Sequence, residues 1–132
     1  ILHAAKVKNV DKIIAVSAPT DFKRVENHWF KPEAWVPTLQ KGELWRAFGV
    51  RVGNLFARKP AAIDFVNAVA PCPLLLMAGA KDPTIFPWHA QAHYDAAAEP
   101  KHIEIFEHSE HAEDLWRNEP EKFMKVVRQW LG

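Results

Sequence analysis

The run Pro73-Leu74-Leu75-Leu76-Met77-Ala78-Gly79 constrains the fold more than any other part of the chain. It is apolar throughout, opens after Pro71-Cys72 and stops at a glycine. A strand with water on one face alternates polar and apolar residues, whereas one without alternation is covered on both faces, as in a parallel sheet flanked by helices. Gly79 then frees the backbone to turn. Asp82 follows three residues later, on the loop where the strand ends, and open α/β sheets place the groups that touch ligands there. Asp82 is therefore a candidate site residue. The competing use is a turn, since Asp before Pro commonly accepts backbone N–H groups.

Two further strands frame this one. Lys12-Ile13-Ile14-Ala15-Val16 is β-branched and lacks alternation, so it reads as a second buried strand. His102-Ile103-Glu104-Ile105-Phe106 alternates at first, which predicts an edge strand with one wetter face. Between and around them lie helical patterns. Ile1 to Lys6 has the pattern of a half-helix; Pro60 sets the first turn of a helix that carries Ala62, Ile63, Val66 and Val69 on one face before Pro71; and Trp88 to Ala98 is rich in alanine. In the last helix Asn118 is the expected cap and Glu121 the return half of a capping box, ahead of an apolar stripe at Phe123, Val126, Val127, Trp130 and Leu131 that must lie on the sheet. Strands alternating with helices imply parallel strands joined by right-handed crossovers. The expected fold is α/β, a three-stranded parallel sheet with helices on both faces.

Residues 22–58 differ in character. Aromatic side chains crowd among charges, punctuated by Pro32, Pro37, Gly42, Gly49 and Gly53, and short helices are expected, forming a small cap inserted after the first strand. Trp29, Trp35 and Trp45 either fill the core between those helices or form the underside of a lid over an apolar substrate pocket. The domain division is therefore 1–21 with 59–132 as core, and 22–58 as cap.

Charge and cysteine content exclude several classes. Seventeen basic and sixteen acidic side chains in 132 residues leave a net charge of +1, with no block of like charge, so neither nucleic acid nor a membrane surface is an expected partner. The single cysteine, Cys72, rules out an internal disulfide, and no apolar run has the length of a membrane span or signal peptide; a cytoplasmic setting is expected. The chain opens without methionine and as though within a helix, which is the expectation for a piece of a longer protein.

Chemistry concentrates after the third strand, in Glu107-His108-Ser109-Glu110-His111-Ala112-Glu113. If the strands ending near Asp82 and before His111 are neighbours, carboxylate and imidazole meet at one rim. A carboxylate on one ring nitrogen fixes the tautomer and leaves the other nitrogen to take a proton from a nucleophile. His108 is the rival histidine. Asp21, which also follows a buried strand, is the rival acid. His89 and His93 stand four apart on a predicted helix, a spacing that can hold a metal; with no third ligand at a fitting spacing, a solvent-facing helix is the expectation.

Three segments together resemble the C-terminal half of the α/β-hydrolase superfamily: Val10–Pro19 looks like its sixth strand, Pro73–Pro87 like its seventh with the acid loop G-x-x-D, and Ile103–Glu113 like its eighth with a histidine loop ending in His-Ala. The resemblance covers nearly all of the chain except 22–58. It implies Asp82 as catalytic acid, His111 as catalytic base, no cofactor, no metal and a small-molecule or peptide substrate. Asp82-Pro83-Thr84-Ile85-Phe86-Pro87 and Glu99-Pro100-Lys101 look most like small esterases and prolyl-oligopeptidase-like peptidases.

The sequence departs from that family at the nucleophile. No G-x-S-x-G occurs, and neither serine, Ser17 or Ser109, has flanking glycines. On the resemblance, Ile1–Lys6 is the end of the helix that follows the nucleophile elbow, so that the nucleophile lies outside this chain. The chain alone is then expected to be inactive, and the edge of the Lys12–Val16 strand is expected to receive the missing N-terminal half or to self-associate. The alternative is a non-catalytic, truncated module that binds an apolar ligand or a partner chain.

Overall fold

The computed structural model describes residues 1–21 and 60–132. The expected cap, with Trp29, Trp35 and Trp45, lies outside the described residues. The strands are β1 (Ile13–Val16), β2 (Leu74–Gly79) and β3 (Lys101–Phe106), and they form one sheet in the order β1-β2-β3. Both pairings are parallel, with Ile13 beside Leu74 and Leu74 beside Lys101. This is the expected α/β sheet, with β3 at an edge among the described residues.

Burial of β2 follows from its sequence. Every residue of the strand is buried, and its alternate side chains enter two separate cores. Leu74, Leu76 and Ala78 pack on one face with Ala5 of α1 (Leu2–Val7), Val66, Val69, and Ala90 of α2 (Trp88–Ala96). Leu75 and Met77 pack on the other face with Phe106, with Leu115 of α3 (Asp114–Asn118), and with Phe123, Val126, Val127 and Trp130 of α4 (Pro120–Leu131). Each fully covered Leu or Met side chain contributes on the order of 2 kcal/mol of hydrophobic stabilisation, which makes β2 the axis of the molecule. The polar residues of β3 meet α4 as well: Glu104 pairs with Lys122 at 2.8 Å, and the His102 ring stacks near that of Trp130.

Lysines at the strand entrances close two helix ends. Lys12 Nζ donates to the carbonyls of Trp130 and Leu131 at 2.8 and 3.0 Å, and Lys101 Nζ donates to those of Tyr94 and Ala97, both at 2.7 Å. A cation at a helix C-terminus satisfies orphan carbonyls and opposes the negative end of the dipole.

Three local expectations are corrected. The helix expected after Pro60 is two successive 3₁₀ turns, Ala62–Asp64 and Val66–Val69. Its apolar residues Ile63, Val66 and Val69 recur every three positions, which is the 3₁₀ period and not the α period. Asn118 does not cap α4; it ends α3, and its Nδ2 donates to the His108 carbonyl at 3.2 Å. Pro120 takes the first helical position, so the cap position falls on Glu119. Gly79 is required for closeness and not for a turn: a methyl group there would collide with the carbonyl oxygens of Ser109 and Glu110.

Candidate active site

The loops that leave β2 and β3 run side by side beyond the carboxyl ends of the strands. Ala80 N–H donates to the Phe106 carbonyl at 2.8 Å and Lys81 N–H to that of Ser109 at 3.1 Å, so the two loops are joined by backbone bonds before any side chain is considered. With Gly79 lacking a side chain, nothing separates them. Asp82 and His111 are thereby brought together.

Asp82 Oδ2 lies 2.7 Å from His111 Nδ1. A carboxylate can only accept, so Nδ1 carries the proton and Nε2 is left as the acceptor of the ring. The other carboxylate oxygen, Oδ1, accepts the N–H groups of Thr84 and Ile85, each at 2.8 Å. Asp82 thus makes the turn weighed for it with one oxygen and meets the imidazole with the other. Its side chain is 0% exposed, while that of His111 is 44% exposed, so the acid is sealed and the imidazole is open to a reactant.

The electrostatics follow from this arrangement. Burial pushes the Asp82 carboxyl up, but the bond from His111 and the two backbone N–H groups outweigh it and hold the group below the ordinary aspartate value. The bond to Asp82 is the main reason that His111 is held above the ordinary histidine value; burial opposes it, and the charges of Asp82, Glu113 and Asp114 reinforce it.

The histidine loop is also held from α4. Glu119 Oε1 accepts His108 N–H at 2.9 Å and the hydroxyl of Ser109 at 2.8 Å, and Ser109 is fully buried. Glu119 is absent from the sequence reading, although Pro120 was the available signal: once proline takes the first helical position, the residue before it faces the loop. His108, the rival histidine, contributes its backbone here and is exposed. Asp21, the rival acid, lies at the end of β1, beside Pro19 and Ala18 in a groove along that strand.

His89 and His93 do not face solvent; both are fully buried. Thr20 donates its N–H to His89 Nδ1 at 3.1 Å, and its hydroxyl lies 2.9 Å from the same nitrogen. His93 Nε2 lies 3.2 Å from the Pro19 carbonyl, which can only accept, so Nε2 holds the proton. Burial holds His93 below the ordinary histidine value, partly offset by that carbonyl. The two imidazoles pin the chain leaving β1, a role invisible without its distant partners. Among the described residues no cluster of three or more His, Cys, Asp and Glu side chains is placed to hold a metal ion, and no helix is long and apolar enough to cross a membrane.

No protein-family model and no curated protein sequence matches the chain. Solved structures do. Two structures of the Pyrococcus furiosus esterase Pf2001 superimpose with a TM-score of 0.71 each, at 19% and 17% sequence identity. The matches cover 98% and 99% of this chain and 47% and 49% of the esterase, so the chain spans about half the length of these structures. At that identity the likeness is one of fold: the chain has an esterase-like α/β architecture.

Proposed function

We propose that this chain supplies the acid and the histidine of a Ser-His-Asp triad in a serine hydrolase of α/β-hydrolase type, which cleaves an ester, thioester or peptide-like bond. The observation that carries the reading is the bond between His111 Nδ1 and the sealed Asp82 carboxylate at the carboxyl ends of adjacent parallel strands. The esterase-like fold supports it. The serine nucleophile belongs to a segment outside this chain, because Ser109 is fully buried against Glu119 and Ser17 is engaged with the backbone of Ala112.

In this reading His111 Nε2 takes the proton of the serine hydroxyl as its oxygen adds to the substrate carbonyl. Asp82 keeps the imidazole in the required tautomer and stabilises the imidazolium. The same proton then passes to the leaving group as the carbonyl re-forms, leaving an acyl-enzyme. Water repeats the sequence: His111 takes its proton, the tetrahedral adduct collapses, and the serine recovers its hydrogen. Without the nucleophile and the oxyanion donors the chain by itself does not turn over substrate efficiently.

The partner that completes the site is the N-terminal half of the fold, docked beside β1. Among the described residues β1 pairs with β2 alone, and its side chains are only half-buried.

The test is labelling of the longest product of this locus with a fluorophosphonate probe, alongside its His111→Ala and Asp82→Asn variants. Labelling of the parent that disappears in both variants is expected. A longest product that never labels overturns the reading in favour of a non-catalytic module.

A further inference from the structure

The histidine loop is held from the end of β1 as well, and no part of the triad reading requires it. Ser17, the residue after β1, donates its N–H to the Met77 carbonyl at 2.9 Å, so its backbone prolongs the β1–β2 ladder. It then turns with φ 43°, a left-handed conformation that few residues other than glycine adopt readily. In that conformation Ser17 Oγ accepts the N–H of Ala112 at 3.2 Å. Ala112, next to His111, also has positive φ, 27°. Two non-glycine residues in left-handed backbone, joined by a hydrogen bond across the strand ends, persist only where the surroundings over-determine them. Ser17 is 6% exposed, so water does not readily replace the hydroxyl.

From this we propose that Ser17 is a positioning residue for His111: its hydroxyl fixes the peptide that follows the histidine and so holds Nδ1 on Asp82. The inference rests on the Asp82–His111 reading above and adds a residue to it. His111 is then fixed by all three strands. β3 carries it through the chain, β2 supplies Asp82, and β1 supplies Ser17. Since the imidazole is half-open to solvent, its own burial does not orient it, and the fixed loop does. Neither serine flanking glycines nor a metal spacing marks the residue in the sequence; the strained backbone and its acceptor role do.

Proton NMR of the full chain tests this through the titration of His111 and its Nδ1–H resonance, assigned by its loss in His111→Ala. Ser17→Ala and Ser17→Gly both remove the hydroxyl, and the glycine variant accepts the positive φ without strain, which guards against simple misfolding. The expected result in both is a lower His111 pKa and a broadened or lost Nδ1–H resonance, as in Asp82→Asn. In the longest product, kcat falls roughly 10- to 100-fold with KM little changed, the size expected when a catalytic group is misplaced by a fraction of an ångström or more. If both Ser17 variants titrate like the parent while Asp82→Asn lowers the pKa, the positioning role is overturned and the Asp82–His111 pair stands. If Asp82→Asn itself leaves His111 unmoved, the pair is overturned and this inference with it.

Discussion

Gly79 and Glu110 touch backbone to backbone: the α-carbon of Gly79 leaves no room for a side chain against the Glu110 carbonyl oxygen. The obstructing atoms are main-chain and cannot swing aside. Gly79→Ala is therefore expected to cost at least about 3 kcal/mol, the upper part of the range for overpacking. The denaturation midpoint in urea checks this. The same variant separates the loops of Asp82 and His111, so the His111 pKa should fall towards the ordinary value even where the protein still folds.

The bond between Asp82 and His111 makes stability depend on pH at both ends. Asp82 titrates below its ordinary value of 3.8 in the folded state, so its contribution is full above 3.8 and fades as pH falls through the depressed folded value. His111 titrates above its ordinary 6.5, so its contribution is full below 6.5 and fades as pH rises through the raised folded value. The pair therefore stabilises most between 3.8 and 6.5. Urea midpoints measured across pH for the parent and Asp82→Asn should differ most in that window.

On the proposed function, activity runs the other way, since His111 acting as a general base must be neutral. kcat/KM should rise with pH through the raised pKa of His111. Asp82→Asn should move that limb to lower pH and reduce kcat roughly 10³- to 10⁴-fold, by losing the tautomer control that the carboxylate provides. A pH–rate profile of the two proteins decides it.

Glu119 is expected to matter for the loop more than its place at the junction of α3 and α4 implies. Glu119→Ala leaves the buried Ser109 hydroxyl and the His108 N–H without their acceptor, at about 1–3 kcal/mol. Glu119→Gln keeps an acceptor oxygen and should recover most of that loss. Thermal denaturation of both variants, with hydrogen exchange at His108, measures the difference.

His93 adds an acid-sensitive contribution of its own. Burial keeps it neutral in the folded state, with its folded pKa below 6.5, so the unfolded chain binds the extra proton and stability declines as pH falls below 6.5. His93→Gln retains a donor for the Pro19 carbonyl without the titration. Its urea midpoint should decline less steeply than that of the parent as pH falls below 6.5.

What was legible in the sequence was what depends on burial over a short span. An unbroken apolar run can only be β2 between two covered faces, and its strand ends locate Asp82 and His111 at one rim. The periodicity of α4 is equally local and holds at Phe123, Val126, Val127 and Trp130, whereas Leu131, expected in the same stripe, is exposed at the helix end. What failed needed information from afar. His89 and His93 read as surface residues because Thr20 and Pro19, which lie against them, stand about seventy positions away in sequence. Ser17 shows nothing until Ala112 reaches it, 95 residues later. The 3₁₀ turns and the start of α4 are different, for their signals were present: a three-residue repeat at Ile63, Val66 and Val69, and a proline at position 120.

Thr20 and Ile63 close one hydrogen bond, Ile63 N–H to the Thr20 carbonyl at 3.0 Å, and Thr20 is fixed to His89 on its other side. Forty-two residues separate the two in sequence, and this bond brings their backbones together. Loop closure weakens only slowly with length, by roughly 0.6 kcal/mol for each doubling. The bond between Thr20 and Ile63 therefore anchors the exit of β1 to the turns ahead of β2 at a closure cost that depends only weakly on how many residues lie between them.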